Sequence, residues 1–333
     1  MNVRRHHISA AALAAVTALG LGTLTACSSD SAAAGSTDTF DVVASFYPMA
    51  FLAEQIGGEH VSVTSLTEPG QEPHDLEISA KQTAQLEESD AALFLKGLQP
   101  TVDEAIGQSG VKTKIDAAGL TSLESHADEH AEEHADEHAE EHAEEHAAEE
   151  EHGHDHEHEE GQDPHVWLDP VKYAEVAEGV GKAFQKADPD HAADYKKNTE
   201  ALVGKLNTLD KTFETGLANR GTDVFITTHA AFGHLAERYG LTEESISGLD
   251  PESEPSGARV KELQQTAKAD GVTTVFYETL VSDRTAKTLA ADTGLRTDVL
   301  DPVEGITDDS RGDDYFQVME ANLKALQTAL GAT

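Results

Sequence analysis

FDVVASFYPMAFLAEQIGGEHVSVTSL, residues 40–66, contains the pattern from which the fold class of this chain follows. A short apolar run at residues 40–45 is followed by a helical pattern at 49–56 and by a β-branched run at 61–66. Strand, helix and strand in this order form a βαβ unit, in which the two strands lie parallel. The stretch therefore predicts an α/β fold with a mainly parallel sheet.

The same alternation of short apolar runs and helical patterns continues through both halves of the chain. In the first half we predict strands at 91–95 and 112–115 and a helix at 80–88. In the second half we predict strands at 223–228, 245–247, 272–277 and 297–300, and helices at 232–239, 257–269 and 284–293. This repetition indicates two Rossmann-like α/β lobes.

A longer helical pattern separates the two halves. It begins after Asp188-Pro189-Asp190, extends from His191 to about Leu217, and carries apolar residues at three- and four-residue spacing. We expect one long, rigid amphipathic helix that joins the lobes, and a last helix at 314–330. The predicted boundaries are 39–188 for the N-terminal lobe, 189–220 for the linking helix and 221–333 for the C-terminal lobe.

The N-terminus resembles an export signal. Arg4 and Arg5 precede an apolar stretch at residues 8–24, which ends in Leu24-Thr25-Ala26-Cys27 and a tract of small residues. A membrane-spanning helix is the alternative, but the stretch is at the short end of the ~20 residues that a span needs. We interpret residues 1–26 as a signal peptide with a lipobox and 27–38 as a flexible linker, with twin-arginine export left open.

Cys27 is the only cysteine of the chain, so no intrachain disulfide can form. Its place at the end of the apolar stretch resembles the bacterial lipobox, in which the cysteine is diacylated after cleavage. Two acyl chains are what durable anchoring requires. We therefore expect an extracytoplasmic protein that is lipid-anchored to the bacterial cell membrane.

The net charge of the chain is −40 at pH 7 over 333 residues. Such a charge repels nucleic acid and attracts cations. Nucleic-acid binding is therefore excluded as a function class, and a cationic ligand is favoured.

Four short segments, far apart in the sequence, each offer one metal ligand. They contain His74, His165, His229 and Asp301, and each is expected near the end of a predicted strand, where α/β sheets place their ligands. Three imidazoles and one carboxylate are the donor set of a closed tetrahedral Zn²⁺ site, and a further carboxylate in place of a histidine would favour harder Mn²⁺. Prolines before His74 and His165 restrict the backbone there, as a preformed site requires.

Residues 124–160 form an insert of low complexity, rich in histidine and acid. Its histidines recur every fourth residue and then alternate: His126, His130, His134, His138, His142, His146, His152, His154, His156 and His158. A solvated acidic loop would explain the acids but not ten histidines, so we predict auxiliary metal capture at several weak sites. Because imidazole binds metal only when it is neutral, this capacity should fall below about pH 6.

These motifs together resemble the zinc-binding, ZnuA-like branch of the cluster A solute-binding proteins, the metal-binding lipoproteins of ABC importers. The resemblance covers the chain from about Thr39 to its end and rests on the following segments: Pro73-His74-Asp75, Asp163-Pro164-His165-Val166-Trp167-Leu168-Asp169-Pro170, Thr228-His229-Ala230-Ala231-Phe232-Gly233, Phe276-Tyr277-Glu278 and the late Asp301, with the insert just before His165. The family implies two α/β lobes joined by one long helix, with the metal between them.

By position, the resemblance assigns His74 and His165 to the metal from the first lobe, and His229 and Asp301 from the second. Water or another acid is the alternative to Asp301. Manganese-binding relatives carry a carboxylate where this chain has His229, which favours zinc. Glu278 is expected to hydrogen-bond a ligand imidazole, or else to cap a helix, and His234 to line the site.

The function that the resemblance implies is capture of Zn²⁺ and its delivery to an ABC permease in the cytoplasmic membrane, by a monomer without catalytic activity. Two alternatives stay open: a Mn²⁺- or Fe²⁺-binding lipoprotein of the same family, and a surface zinc buffer or adhesin without a role in import. A zinc hydrolase would need an open coordination position and a general base. The sequence contains no His-Glu-x-x-His motif.

Overall fold

The structure is a computed structural model, and it describes residues 39–124 and 162–332. These described residues form one compact unit. The predicted signal peptide, the lipobox with Cys27, the linker and the ten histidines of the insert lie outside the described residues.

The first half of the described chain contains a parallel four-stranded sheet in the order β2-β1-β3-β4. Its elements are β1 (Phe40–Ala44), α1 (Tyr47–Gly57), β2 (Val61–Ser65), α2 (Ala80–Glu88), β3 (Ala91–Phe94), α3 (Pro100–Gln108) and β4 (Thr113–Asp116). Val42, Val43 and Ala44 of the inner strand β1 are all buried, although successive side chains point to opposite faces. Both faces of the sheet are therefore covered, as in most parallel sheets.

Two helices follow the insert and pack against each other. They are α4 (Pro170–Ala187) and α5 (Ala192–Gly216). Helix α4 begins with Pro170 and is capped by Asp169, whose Oδ1 accepts a hydrogen bond of 2.8 Å from the N–H of Val171. Gly181 of α4 faces Thr199 of α5 so closely that a Cβ there would clash.

The long helix α5 lies where the sequence predicts it, with Leu202, Leu206, Leu209 and Phe213 buried. Helices α3 and α4 were not predicted. Helix α4 nevertheless carries an apolar pattern at helical spacing, formed by the buried residues Tyr173, Val176, Ala177, Val180 and Phe184.

The second half repeats the architecture with a parallel sheet in the order β6-β5-β7-β8. Its elements are β5 (Val224–Thr227), α6 (Gly233–Tyr239), β6 (Thr242–Ser245), α7 (Gly257–Ala269), β7 (Thr274–Tyr277), α8 (Arg284–Thr293), β8 (Arg296–Val299) and α9 (Tyr315–Leu330). The strand predicted at 245–247 lies earlier, at Thr242–Ser245. Strand β6 is a polar edge strand without an apolar run of its own. The sequence-based prediction therefore placed the strand too late, at the apolar residue that follows.

The prediction of an α/β fold with two parallel sheets is confirmed. In such sheets ligands bind beyond the carboxyl ends of the strands. The loops after β2, β5, β7 and β8 carry His74, His229, Glu278 and Asp301 respectively. Within residues 39–124 and 162–332, no helix combines the length and apolar character that a membrane span requires.

Candidate metal site

One group of metal-binding side chains gathers residues from four segments. His74, His165, His229 and Glu304 each offer a donor atom, and these atoms all lie within 4.8 Å of one another. Oε1 of Glu304 lies 3.3 Å from Nε2 of His74, 3.3 Å from Nε2 of His165 and 3.8 Å from Nε2 of His229. Donors held ~2.0–2.1 Å from a tetrahedral Zn²⁺ lie roughly 3.3 Å apart, so the group is close to that geometry.

The three imidazole rings surround the same point. Their centroids lie 5.5 Å apart for His74 and His165, 5.8 Å for His74 and His229, and 5.3 Å for His165 and His229. Nε2 of His165 and Nε2 of His229 are buried and have no hydrogen-bond partner among residues 39–124 and 162–332. Buried polar atoms are rarely left unsatisfied, and two such nitrogens beside one carboxylate fit a bound cation.

A buried carboxylate fixes the orientation of His165. Oδ1 of Asp163 accepts hydrogen bonds from Nδ1 of His165 at 2.7 Å and from the backbone N–H of the same residue at 2.9 Å. Both side chains are fully buried. Because Nδ1 donates to a carboxylate, the lone pair of Nε2 points toward the centre of the group.

His229 is held in the same way by Glu278. Oε1 of Glu278 accepts a hydrogen bond of 2.7 Å from Nδ1 of His229 and another from the hydroxyl of Thr228. Glu278 directly follows β7, and only 4% of its surface is exposed. The structure thus places Glu278 against a candidate ligand imidazole, which is one of the two positions considered for it.

His74 is held differently. Its backbone N–H donates to Oε1 of Glu72 at 3.1 Å, and Nε2 of the buried Gln99 donates to the carbonyl of Pro73 at 3.1 Å. Within residues 39–124 and 162–332, no carboxylate pairs with Nδ1 of this imidazole. Its side chain is 13% exposed, against 0% for His165 and His229.

The charges of the group couple the histidines to Glu304. Burial lowers the pKa of His165, but its hydrogen bond to Asp163 and the charges of Asp163 and Glu304 outweigh this and raise the pKa to about 10. The pKa of His229 is also raised, since the charge and hydrogen bond of Glu278 outweigh burial. The pKa of Glu304 is lowered, because its contacts with His165 and His74 outweigh burial. Without metal, His165 and His229 therefore hold a proton more strongly than a free imidazole does, beside an ionised carboxylate.

The carboxylate of the group belongs to Glu304, whereas the sequence predicts Asp301 for this place. The side chain of Asp301 is turned back into its own loop. Its Oδ1 accepts a hydrogen bond of 2.8 Å from the N–H of Val303, and its Oδ2 accepts one of 3.2 Å from the hydroxyl of Thr279. In this structure the group therefore takes its carboxylate from the same loop, three residues after Asp301.

His234 lies behind the group and is not part of it. Its Nε2 donates to the carbonyl of Asp163 at 2.9 Å, and its Nδ1 lies 3.3 Å from Oε2 of Glu124. Glu124, His234 and Glu237 form a second cluster of possible ligands. The ammonium of Lys172 lies 2.6 Å from Oε2 of Glu124 and already supplies a positive charge there.

Comparison with known proteins decides the family. The family described as zinc-uptake complex component A, periplasmic, matches residues 42–329 of this chain. The chain belongs to the ZnuA family. The resemblance inferred from the motifs is thereby confirmed.

Curated ZnuA-family relatives support this assignment along most of the chain. The zinc-binding lipoprotein AdcA of Streptococcus pneumoniae is 36% identical over 314 residues, which cover 91% of this chain and 58% of that protein. The high-affinity zinc uptake system protein ZnuA of Bacillus subtilis is 33% identical over 317 residues, which cover 92% of this chain and 94% of that protein. The chain thus spans little more than half the length of the streptococcal AdcA proteins that it matches.

Solved structures of other proteins share the fold. The Zn(II)-bound ZnuA-like domain of Streptococcus pneumoniae AdcA superposes with a TM-score of 0.68 at 31% identity and covers 88% of this chain and 99% of that domain. The laminin-binding protein Lmb of Streptococcus agalactiae, described as having adhesin and metal-transporting activity, gives a TM-score of 0.72 at 26% identity, with 87% and 99% covered.

Proposed function

We propose that this chain captures Zn²⁺ with His74, His165, His229 and Glu304 and delivers the ion to an ABC permease. The observation that carries the proposal is the convergence of three Nε2 atoms on one buried carboxylate, where two of these nitrogens lack a hydrogen-bond partner in the described part of the chain. The names of relatives in Streptococcus pneumoniae and Bacillus subtilis, a zinc-binding lipoprotein and a zinc uptake protein, agree with this role.

The donor set favours zinc over harder ions. Three imidazole nitrogens and one carboxylate oxygen at tetrahedral spacing suit Zn²⁺, whereas Mn²⁺ prefers more oxygen donors and higher coordination. A Mn²⁺- or Fe²⁺-binding lipoprotein of the same family is the alternative. Four protein donors also close the coordination sphere, so the site provides no open position for catalysis. We therefore propose a carrier that is not an enzyme.

The placement of the insert supports a role in metal capture. The N–H of Asp163 donates to the carbonyl of Glu124 at 2.9 Å, so the two ends of the insert meet in space. Asp163 is also the hydrogen-bond partner of His165. The two ends of the insert are therefore anchored beside a candidate ligand of the main site.

The remaining features of the proposal follow from the sequence and the family. We infer export through the signal peptide of residues 1–26, anchoring through diacylated Cys27, and a linker at 27–38 that lets a monomeric body reach the permease. The names of the family and of its lipoprotein relatives agree with an extracytoplasmic location. The two sheets and α5 support an N-terminal lobe at 39–188, a linking helix at 189–220 and a C-terminal lobe at 221–333.

Zinc binding by the mature chain in competition with a strong chelator tests the proposal. The chelator suppresses the weaker sites of the insert, so the wild type should retain one zinc ion per chain. Glu304→Gln, which removes the charge but keeps the shape, should bind zinc on the order of 10-fold or more weakly, as expected for the loss of a charged donor. His60→Ala is the matched control, since His60 stacks on His191 outside the group.

Two results would contradict this function. The first is tight zinc binding that Glu304→Gln leaves unchanged, because the ion would then lie elsewhere. The second concerns transport: a strain without this chain should need more zinc in chelated medium, and unaltered growth would favour a zinc buffer or an adhesin.

A further inference from the structure

The loop that carries Glu304 contains an unusual backbone conformation. Val303, the residue directly before Glu304, has a φ of 59° and is the one non-glycine residue with positive φ in the described parts of the chain. A β-branched side chain in the left-handed region is strained, and such residues persist only where the surrounding structure holds them. The strain therefore lies one peptide from a candidate ligand.

Asp301 supplies the contact that holds Val303. Its Oδ1 accepts a hydrogen bond of 2.8 Å from the N–H of Val303. The side chain of Asn322 in α9 makes two hydrogen bonds to the backbone of Asp301. Its Oδ1 accepts from the N–H of Asp301 at 2.9 Å, and its Nδ2 donates to the carbonyl of Asp301 at 2.7 Å. Asp301, Val303 and Asn322 are all at most 2% exposed, so water does not replace these bonds easily.

The same loop is tied to the segment of His165. Nε1 of Trp167 donates a hydrogen bond of 2.7 Å to the carbonyl of Pro302. The ring of Trp167 lies 5.1 Å from the ring of His165, and its own carbonyl accepts a bond of 2.6 Å from the hydroxyl of Tyr315. The loop around Val303 is therefore held both from α9 and from the neighbouring ligand segment.

We propose that Asp301 is a positioning residue for zinc binding, which keeps Val303 in the left-handed conformation and thereby aims the carboxylate of Glu304 at the three histidines. The proposal rests on the proposed function of this site and deepens it. Without the acceptor at Asp301, Val303 would relax to negative φ. The peptide before Glu304 would then turn, and the carboxylate would leave the position from which it reaches all three Nε2 atoms.

The test compares the zinc affinities of four variants with the wild type by chelator competition on the mature chain. Asp301→Ala removes the acceptor and should weaken zinc binding by about 10- to 100-fold, the range typical of residues that orient metal ligands. Asp301→Asn keeps an acceptor for Val303 and a partner for the Thr279 hydroxyl, so it should lose less than the ~10-fold lower end of that range. Thr279→Val, the matched control, leaves the contact to Val303 intact and should behave like Asp301→Asn.

The fourth variant separates positioning from mere stability. In Asp301→Ala/Val303→Gly, glycine adopts positive φ at no steric cost, so part of the lost affinity should return although the chain gains no contact. Thermal unfolding of the metal-free proteins shows whether each variant is folded. A double variant that binds zinc no better than Asp301→Ala would overturn the proposal.

The outcomes also distinguish this inference from the function on which it rests. Zinc binding that is insensitive to Glu304→Gln rejects the ligand set itself. If Glu304→Gln weakens binding and Asp301→Ala does not, only the positioning role is rejected. An Asp301→Asn variant as weak as Glu304→Gln would show that the charge of Asp301 acts directly, and this comparison decides the question even if Asp301→Ala does not fold.

Discussion

His165 and His229 are held by side chains, whereas His74 is held by its backbone. Nδ1 of each of the first two donates to a buried carboxylate at 2.7 Å, and neither imidazole is exposed. His74 lies in the loop between β2 and α2, and its side chain is 13% exposed. The hydrogen bonds that hold this loop are made by the backbone N–H of His74 and the backbone carbonyl of Pro73. The difference indicates two rigid candidate ligands and one that can adjust.

This difference suggests the order in which the site fills and empties. His165, His229 and Glu304 form a preformed, buried set of three donors, and their partners keep them in place without metal. His74 completes the coordination from the more exposed side. A carrier must bind tightly and also release, and one adjustable ligand is the simplest way to meet both needs. We therefore expect His74 to leave the ion first if the ion is passed to the proposed permease.

The largest expected effect is a difference between the three histidine variants. A structural zinc site is worth about 10–16 kcal/mol, so the loss of one rigid donor should cost roughly 3 kcal/mol, or on the order of 100-fold in affinity. His165→Ala and His229→Ala should show this loss, and each also leaves a buried carboxylate without its partner. His74→Ala should cost only about 10-fold, since water can take the vacated position. Chelator competition measures all three, and a loss for His74→Ala as large as for the other two would refute the distinction.

The partners of the rigid histidines give the next largest effect. Glu278→Gln keeps the size of the side chain but removes the charge that fixes the tautomer of His229. We expect zinc affinity to fall about 10- to 100-fold, as for other carboxylates behind metal-bound imidazoles.

Glu72→Gln is the matched control for Glu278→Gln. Glu72 contacts the backbone N–H of His74, not its ring, so its loss should change the zinc affinity much less. Nitrogen NMR of the imidazoles provides a second measurement, because Glu278→Gln should mix the tautomers of His229 and Glu72→Gln should leave those of His74 unchanged. Equal losses of zinc affinity in the two variants would mean that a carboxylate bonded to the imidazole ring contributes no more than one bonded to the backbone.

Sequence patterns predict the strands, helices and histidine-bearing segments that form the candidate site. They do not predict which carboxylate side chain points into it. Both sheets and α5 follow from the alternation of apolar runs, and His74, His165 and His229 stand in motifs that could be located by inspection. The histidines could be found because each lies directly after a strand or beside a proline. There, local sequence determines where a side chain goes.

Three elements were missed or displaced: α3, α4 and β6. The last two have identifiable reasons. Helix α4 has its own apolar pattern, but it lies beside the insert, whose composition obscures the boundary of the lobe. Strand β6 is a polar edge strand, Thr242–Ser245, so the period-2 signal is weak there.

The carboxylate of the candidate site could not be identified from the sequence. Both Asp301 and Glu304 follow β8, and either carboxylate suits a zinc ion. What separates them is the positive φ of Val303, which turns the chain so that Glu304 points inward and Asp301 back to the loop. No sequence rule predicts that conformation for valine, because it depends on Asn322 and Trp167 packing from distant segments.

The smallest expected effect is the pH dependence of zinc affinity. The protons released on zinc binding should come from the buried histidines and not from His74. In the metal-free protein the pKa of His165 is raised to about 10, so at pH 7 this imidazole carries a proton that zinc must displace. Zinc binding should therefore release protons, and the affinity should rise with pH between about 6.5 and 8.5, by at most ~10-fold per unit for each proton released. Calorimetry in two buffers of different ionisation enthalpy measures the release. His74→Ala should retain it, whereas His165→Ala should lose most of it. If the binding heat is the same in both buffers, the rigid ligands are already deprotonated before zinc arrives, and their contacts with Asp163 and Glu304 do not hold a proton in the site.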